Sequence, residues 1–289
     1  MSSPILQTPA MRWPAIAVAR RTVQPRIDFH VDDCRVGSVA MAHLPALQRW
    51  PQWLVQDERG LHLTVPAPGR DEALADINTA LRAEGLIVAW RDETFPLYAP
   101  DAGTVLARFE RAAARFWGAL TRGAHANGYV ADADGRPTHL WIARRSDSKA
   151  TDPGLFDNLV GGGVPHGQTP LETLMREGFE EAGLTPAQMA GARRGRVIHI
   201  DRDVPEGRMV EHVHAFDVQL PAVVQPQNQD GEVASIALLP VAEAAALAAG
   251  DTMTVDAALV TLDFLLRHRL LPAEQQADLS ARMAALCLP

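Results

Sequence analysis

The stretch at residues 162–184, GGVPHGQTPLETLMREGFEEAGL, decides the fold of this chain. Thr169 precedes Pro170, and Glu172 follows three residues after Thr169, which is a capping box with proline at the first helical position. Gly183 stands where a helix ends in a left-handed residue. The stretch therefore predicts a loop followed by a helix of about 13 residues, which begins after Thr169 and ends before Gly183.

The predicted helix carries an apolar stripe and an acidic arc. The apolar side chains recur every three or four residues, at Leu171, Leu174, Met175, Phe179 and Ala182. Gly178 falls in the same stripe, where it permits close packing of the backbone. Glu177, Glu180 and Glu181 are three or four residues apart, so they share one face. Arg176 lies beside them and can pair with Glu180 one turn later.

Three carboxylates on one arc repel one another. On an isolated helix each such contact costs a few tenths of a kcal/mol. A solvated surface tolerates this repulsion, and so does a hard divalent cation, which takes oxygen ligands. Because an arbitrary Glu-x-x-Glu-Glu pattern is more often a charged solvent face, the acids alone leave both interpretations open.

The spacing of the whole stretch resembles the Nudix box, which reads Gly, five residues, Glu, seven residues, Arg-Glu-apolar-x-Glu-Glu-x-Gly-apolar. The matching positions are Gly162, Arg176, Glu177, Glu180, Glu181, Gly183 and Leu184. Two positions depart from the box. Gln168 stands at the first Glu, and Gly178 stands at the apolar position.

This resemblance implies an α+β chain in which a small N-terminal α+β domain precedes a Nudix α/β/α sandwich with a mixed β-sheet. It implies hydrolysis of an organic diphosphate, with Mg²⁺ or Mn²⁺ held by Glu177, Glu180, Glu181 and the carbonyl of Gly162. One of the glutamates, Glu177 or Glu181, would also act as the base, and Arg176 would orient them. A glutamine at position 168 adds no charge and cannot act as a base, which puts the number of metal ions in question.

A second resemblance covers roughly residues 29–270. Its segments are WRDETFPLY (90–98), ERAAARFWG (110–118), HANGYV (125–130), ARRSDSK (143–149), PGLFDNLVGGG (153–163), NQDGEV (228–233) and LDFLLRH (262–268). They are similar to a Nudix subfamily whose N-terminal domain is related to thiamin pyrophosphokinase-linked proteins. The resemblance implies removal of one phosphate from thiamin diphosphate and its oxidised or damaged analogues, although nothing in periodicity or spacing indicates thiamin.

Several charged residues outside the box are candidates for the same site. Arg144, Arg145 and Lys149 follow a predicted strand and suit the charge and geometry of phosphate, with a solvated basic loop as the alternative. Glu232 lies on a predicted turn and is the candidate for an additional acid, either a metal ligand or a base. Glu211 is the weaker alternative for that role.

Other polar and aromatic residues favour structural roles. Asp157 and Asn158 precede the glycine triplet and are expected to position it. His199, His212 and His214 lie on neighbouring predicted strands, but ordinary sheet histidines are favoured because no further ligand is indicated. Core packing is likewise favoured over stacking on a substrate for Trp90, Trp141, Phe156 and Phe216.

The rest of the chain predicts two domains. Residues 1–28 contain four prolines and are expected to form a loosely ordered leader. The N-terminal α+β domain is expected at 29–121, and the Nudix domain with C-terminal helices at 122–289. The expected helices are 71–84, 104–120, 241–249, 256–268 and 273–286, and the expected strands are 86–90, 128–133, 139–143, 195–201 and 209–219.

Composition limits the partners. The net charge of −8 argues against a surface that grips nucleic acid or an anionic membrane, and no apolar run is long enough to span a bilayer. Two cysteines, Cys34 and Cys287, exclude a disulfide scaffold and fit a reducing compartment such as the cytoplasm. An acidic chain can still handle an acidic small-molecule substrate if a divalent ion stands between them.

Four functions remain open. The first is a diphosphatase for thiamin diphosphate, and the second is a pyrophosphatase for ADP-ribose or a nucleotide sugar. The third, an isoprenoid diphosphate isomerase, needs a reactive cysteine, and neither Cys34 nor Cys287 lies in the box segment. The fourth is a non-catalytic ligand sensor, against which the three intact glutamates argue. The N-terminal domain could shape the substrate pocket or support a homodimer.

Overall fold

A computed structural model of the protein describes residues 11–289. The N-terminal segment, residues 11–118, contains α1 Pro14–Val18, β1 Arg26–Val31, β2 Cys34–Ala40, α2 Leu44–Leu47, β3 Leu54–Asp57, β4 Gly60–Leu63, α3 Arg70–Ala83, β5 Thr94–Tyr98, β6 Val105–Glu110 and α4 Ala113–Trp117. The C-terminal segment, residues 119–289, contains β7 Leu120–Ala131, β8 Pro137–Arg145, β9 Phe156–Asn158, β10 Val160–Gly163, α5 Pro170–Ala182, α6 Pro186–Met189, β11 Arg193–Val204, β12 Gly207–Gln219, β13 Val233–Pro240, α7 Val241–Ala248, α8 Val255–Arg267 and α9 Ala273–Ala284.

The N-terminal segment is built on a four-stranded sheet in the order β2-β1-β4-β3. Strands β1 and β4 run parallel, and the outer pairs run antiparallel. Helix α3 buries Leu74 and Ile77 completely, and the Phe29 ring stacks on Trp117 with a centroid distance of 4.5 Å. These side chains belong to one apolar core that also includes residues of β6 and α4.

Two predicted elements of this segment are wrong. Residues 86–90 form no strand, because the amides of Leu86 and Ile87 close the end of α3 by bonding to the carbonyl of Leu81. The helix predicted at 104–120 is instead the strand β6 followed by the short helix α4, which ends at Gly118 with φ +53°. Apolar residues at this spacing suit either structure, and pairing with β5 decides for a strand.

The start of the described chain is packed. Trp13, Ala15 and Ala19 are buried. They lie in or next to helix α1, and this helix contacts α8. The expectation of a loosely ordered leader is therefore wrong for residues 13–19, which join the core beneath α8, and for residues 26–28, which begin β1. Residues 1–10, which share that prediction, lie outside the described residues.

The C-terminal segment is built on a seven-stranded mixed sheet. Its main path is β11-β12-β7-β8-β13, with β10 added to β7 and β9 added to β8. Strands β12 and β7 run parallel, and the remaining pairs run antiparallel. Leu174 of α5 packs into one core and Leu262 of α8 into another, each shared with strands of the sheet. The predicted α/β/α sandwich with a mixed sheet is confirmed.

Two local features of this sheet position the glycine loop, residues 161–163. The hairpin of β7 and β8 turns at Gly135, whose φ is +79°. The glycine triplet lies on β10, where Gly161, Gly162 and Gly163 pair with β7. The helices predicted near the C-terminus are present as α7, α8 and α9. Within residues 11–289, none of the helices is long and apolar enough to cross a membrane.

Candidate active site

The helix that carries the acidic arc forms as the sequence predicts. The hydroxyl of Thr169 accepts a hydrogen bond from the amide of Glu172 at 3.2 Å, and the carboxylate of Glu172 accepts one from the amide of Thr169 at 2.7 Å. Gly183 ends α5 with φ +63°. At Gly178, an added Cβ would lie 2.9 Å from the Cε of Met189, so the glycine does permit close packing.

The three glutamates differ in their surroundings. Glu177 packs against the glycine loop, since a Cβ added to Gly162 would lie 2.2 Å from its Oε1. The carboxylate of Glu181 is buried and accepts a hydrogen bond from the amide of Gly161 at 2.8 Å. The side chain of Glu180 is 39% exposed. The glycines of strand β10 thus lie against two of the three carboxylates.

Arg176 joins two of these carboxylates. Its Nη2 donates to Oε1 of Glu177 at 2.7 Å, and its Nη1 donates to Oε2 of Glu180 at 2.6 Å. A guanidinium presents its donors in a fixed planar fork, so one arginine can set the positions of both carboxylates. This is the orienting contact that the resemblance implies for Arg176.

Burial raises the pKa values of two of the glutamates, and Glu181, which is the more deeply buried, is affected most. It raises the pKa of Glu181 well above its ordinary value, and the neighbouring charge of Glu177 adds to the effect. Burial also raises the pKa of Glu177, although the charge of Arg176 opposes the shift. Both carboxylates are therefore held in surroundings that favour an additional positive charge.

The donor set fits a hard divalent cation in its chemistry. It offers carboxylate oxygens from Glu177, Glu180 and Glu181 and the carbonyl of Gly162, and such cations prefer oxygen ligands. A Cβ added to Gly123 would lie 2.7 Å from Oε1 of Glu211 and 3.7 Å from the Gly162 carbonyl oxygen, so Glu211 is close as well. Among residues 11–289, no three Asp, Glu, His or Cys side chains are arranged closely enough to hold a metal ion together. Two of the three glutamates, Glu177 and Glu180, pair with Arg176 instead.

The arginines predicted to bind phosphate donate most of their hydrogen bonds to acceptors within the protein. Arg145 donates to Asp157 at 2.9 Å and to the carbonyls of Thr151 and Asp152 at 2.9 and 3.1 Å. Arg144 donates to Asp147 and to the carbonyl of Gly154, and it lines none of the cavities at the site. The structure therefore brings Arg145 to the site and leaves Arg144 outside it.

Lys149 and Glu232, both predicted at the site, form an ion pair with each other. Arg91 also donates to Glu232, at 3.0 Å. Burial works against the ionised form, but Lys149 and then Arg91 outweigh it and lower the pKa of Glu232. An acid held in this way remains ionised at neutral pH and is a weak proton acceptor.

Two cavities adjoin the glycine loop. The smaller, of about 130 Å³, is lined by Glu177, Glu180 and Glu232 together with basic side chains. The larger, of about 380 Å³, extends past Glu211 towards the start of α8. Gly161, Gly162 and Arg145 line both. The arrangement can place the anhydride of a diphosphate beside the acidic arc and its organic group in the larger cavity.

Of the residues expected to be structural, Asp157 lines the larger cavity and pairs with Arg145, and the others lie away from both cavities. Asn158 is buried and donates to the side chain of Asn127 and to the carbonyl of Ala257 in α8. The rings of His199 and His212 contact at 5.1 Å on the sheet. Trp141 and Phe216 are buried in the core beside α5. Trp90 and Phe156 pack at the edges of the other two cores.

The sequence alone left open whether the N-terminal domain shapes the substrate pocket, and it did not identify the residues that this domain contributes. Arg91, Glu93 and Arg111 line the smaller cavity, and Arg111 and Arg115 line the larger one. The available signal was the presence of charged residues within the otherwise apolar segments 90–98 and 110–118. Which of those charges face the site depends on the β5–β6 hairpin, which the sequence pattern did not indicate.

Comparisons with known proteins agree with this architecture. The model of the NUDIX domain matches residues 121–258, and that of a domain of unknown function, DUF4743, matches residues 15–121. Nudix hydrolase 20, chloroplastic, of Arabidopsis thaliana is 37% identical over 76% of this chain and 59% of its own length. Nudix hydrolase 24, chloroplastic, of the same plant is 33% identical over 86% of this chain and 69% of its own length.

The chain thus spans about three fifths to two thirds of the length of these curated relatives. Among solved structures, that of DR0079 from Deinococcus radiodurans matches with a TM-score of 0.45 and 24% identity. The match covers 58% of this chain and 97% of that chain.

Proposed function

Since this chain belongs to the Nudix hydrolase family, we propose that it is a divalent-metal-dependent hydrolase that cleaves the phosphoanhydride of an organic diphosphate. The observation that carries the proposal is the acidic arc of α5 held against the glycine loop. Glu177 contacts Gly162, Glu181 bonds to Gly161, and Arg176 fixes Glu177 and Glu180. We also propose that residues 29–121 and residues 122–289 form two separate domains.

The proposed roles follow from the surroundings of each residue. Glu177, Glu180, Glu181 and the carbonyl of Gly162 would hold Mg²⁺ or Mn²⁺, which supplies Lewis-acid polarisation of the phosphate and a water of lowered pKa. Arg176 positions the glutamates. Glu177 and Glu181, whose pKa values are raised by burial, are better suited to accept a proton than Glu232.

Glu232 therefore has a different proposed role from Glu177 and Glu181. Its carboxylate is bound by Lys149 and Arg91, and it would hold these two cations in the wall of the smaller cavity. Arg145, already bound to Asp157, lies at the border of both cavities and would contribute its charge there. Arg144 has no place in the proposed site.

The proposed substrate is thiamin diphosphate or one of its oxidised or damaged analogues, which would lose one phosphate. This part rests on the resemblance of the segments between residues 29 and 270. The alternatives are ADP-ribose or a nucleotide sugar, and a sensor that binds ligand without turnover. We also propose a reducing compartment such as the cytoplasm, because Cys34 and Cys287 are both free thiols.

The proposal is tested by replacing the acids without changing their size. Glu177→Gln and Glu181→Gln should each lower phosphate release by orders of magnitude and leave the unfolding midpoint close to that of the wild type. Glu243→Gln changes an exposed glutamate in the first turn of α7 and is the matched control. Near-normal turnover in both site variants would contradict the assignment.

The substrate is tested with a panel of thiamin diphosphate, ADP-ribose, nucleotide sugars and dinucleotides, each assayed with and without Mg²⁺. A diphosphatase for thiamin diphosphate should release inorganic phosphate from that compound and turn over the others more slowly. Metal-dependent turnover of ADP-ribose in its place would favour the second function. Binding without turnover of any of them would favour the sensor.

A further inference from the structure

The basic side chains around the two cavities differ in how many hydrogen-bond donors the protein already uses. Both terminal nitrogens of Arg176 donate to glutamates, and Arg145 uses its Nε and both terminal nitrogens. Lys149 is bound to Glu232 and largely buried. An incoming anion would have to displace these contacts, so these three cations are poorly placed to be its main partners.

Arg111 has free donors. Its Nη1 donates to both carboxylate oxygens of Glu93, at 3.1 and 3.2 Å, while its Nε and Nη2 bond to no acceptor within residues 11–289. A Cβ added to Gly163 would lie 3.0 Å from the Arg111 Cζ and 3.1 Å from its Nη2. The guanidinium therefore lies against the glycine loop, and it lines both cavities as well as a third, smaller one between them and α4.

Arg115 provides a second incompletely used guanidinium. Its Nη2 lies 3.5 Å from the carboxylate of Glu211, which is too distant for a strong hydrogen bond. Its Nη1 is buried and has no hydrogen-bond partner in the described part of the chain. Leaving such a group without an acceptor costs free energy, which an anionic oxygen brought by a ligand would offset.

The fold holds both arginines in place. The amide of Arg111 donates to the carbonyl of Glu93, the residue before β5, at 2.9 Å. Arg115 lies in α4, which contacts β12 and leads directly into β7 at the centre of the large sheet. A short, continuous piece of chain therefore connects these guanidiniums to the strand that supports the glycine loop.

We propose that Arg111 and Arg115 are the residues that bind the anionic phosphate oxygens of the substrate, opposite the acidic arc. The N-terminal segment would thus complete the active site, with this anion-binding pair as its contribution. The ligand class is a diphosphate, for which the planar forks of two arginines suit several oxygens at once. The identity of the pair as substrate-binding rests on the proposed function, but its affinity for a diphosphate does not.

The test measures binding of inorganic pyrophosphate to the full chain by isothermal titration calorimetry in EDTA, where turnover does not interfere. Arg111→Ala and Arg115→Ala should each weaken the affinity about 10- to 100-fold, the range expected for loss of a charged hydrogen bond. Arg59→Ala removes an exposed arginine that pairs only weakly with Asp33, and it should leave the affinity unchanged. Urea unfolding of each variant checks that the fold is kept.

Two further variants separate binding from a structural role. Glu93→Gln removes the negative charge that faces Arg111 and leaves one acceptor oxygen and the guanidinium in place, so it should bind pyrophosphate at least as well as the wild type. If Arg111 only stabilised the fold through its ion pair with Glu93, Glu93→Gln would weaken binding as much as Arg111→Ala. If the alanine variants unfold, Arg111→Lys and Arg115→Lys keep the charge without the fork and should show a smaller loss.

Wild-type affinity in folded Arg111→Ala and Arg115→Ala, or no measurable binding of pyrophosphate by the wild type, would overturn the inference. With any diphosphate that is turned over, Arg111→Ala should raise KM by more than it lowers kcat. If no diphosphate is turned over, the proposed function fails, while the calorimetry still decides the role of the two arginines.

Discussion

Replacing Gly162 by alanine tests whether Glu177 must lie against the glycine loop. The added Cβ would lie 2.2 Å from Oε1 and 2.3 Å from Cδ of Glu177, whereas ordinary contacts begin at 3.4 Å. The carboxylate must therefore move by about 1 Å (3.4 − 2.2 = 1.2 Å). Gly162 is not among the glycines with positive φ, so the substitution adds no backbone strain.

The effect should fall on activity more than on stability. The displaced group is a side chain and not backbone, and its pair with Arg176, whose side chain is 37% exposed, can re-form after the shift. A misplacement of about 1 Å at a reacting centre can reduce a rate by about 100-fold. We therefore expect Gly162→Ala to lose about two orders of magnitude in phosphate release and to unfold near the wild-type midpoint.

The assay combines phosphate release, Mn²⁺ affinity from water-proton relaxation, and urea unfolding. Gly191→Ala is the matched control, because nothing lies within 4 Å of its added Cβ. It should match the wild type in all three measurements. The reasoning would be refuted if Gly162→Ala kept both the rate and the Mn²⁺ affinity of the wild type, because the carboxylate would then not need its position against the loop.

Two further predictions concern stability. Burial first, and then neighbouring positive charges, lower the pKa of His212 and His214 to about 4, so the unfolded chain takes up protons that the folded protein excludes. The free energy of unfolding should therefore fall between about pH 6.5 and pH 4, by about 1 kcal/mol per histidine after allowance for solvent exposure. Urea titrations at pH 7 and pH 5 should show a smaller difference in a His212→Gln/His214→Gln variant, and an unchanged difference would contradict this. Asp263→Ala removes a fully buried carboxylate that bonds to Arg267 and lies near Arg196, but Arg267 keeps its bonds to Asp217, so the loss in urea unfolding should be about 1.5–3 kcal/mol. A loss below about 1 kcal/mol would show that the pairs of Asp263 are dispensable.

The elements that sequence reasoning predicted well carry their signals within a few residues. Helix α5 begins at a capping box and ends at Gly183, and both features act through contacts no more than five residues apart. The orientation of Glu177 and Glu180 by Arg176 is also local, since it follows from helical spacing. These parts of the fold and of the site could be predicted because no distant residue is needed to produce them.

The parts that were missed depend on tertiary pairing. The apolar positions from 105 to 117 fit a helix, and only the partner strand β5 makes residues 105–110 a strand. That pairing carries Arg111 to the glycine loop, more than fifty residues further along the chain. Arg144, by contrast, was predicted at the site but lines none of its cavities. Its position beside Arg145 suggested a shared role, but successive side chains of a strand point to opposite faces.

The net charge of −8 acquires a more specific meaning from the arrangement of ion pairs at the site. Two of the acids there face an arginine: Glu177 faces Arg176, and Glu211 faces Arg115. A cation alone would have to compete with these arginines, whereas a diphosphate alone can still use the free donors of Arg111 and Arg115. Together, the two bring opposite charges that can enter between the members of each pair and leave the local balance unchanged. An acidic chain can thus bind an acidic substrate because its site is organised as paired charges to which metal and substrate add a matched set.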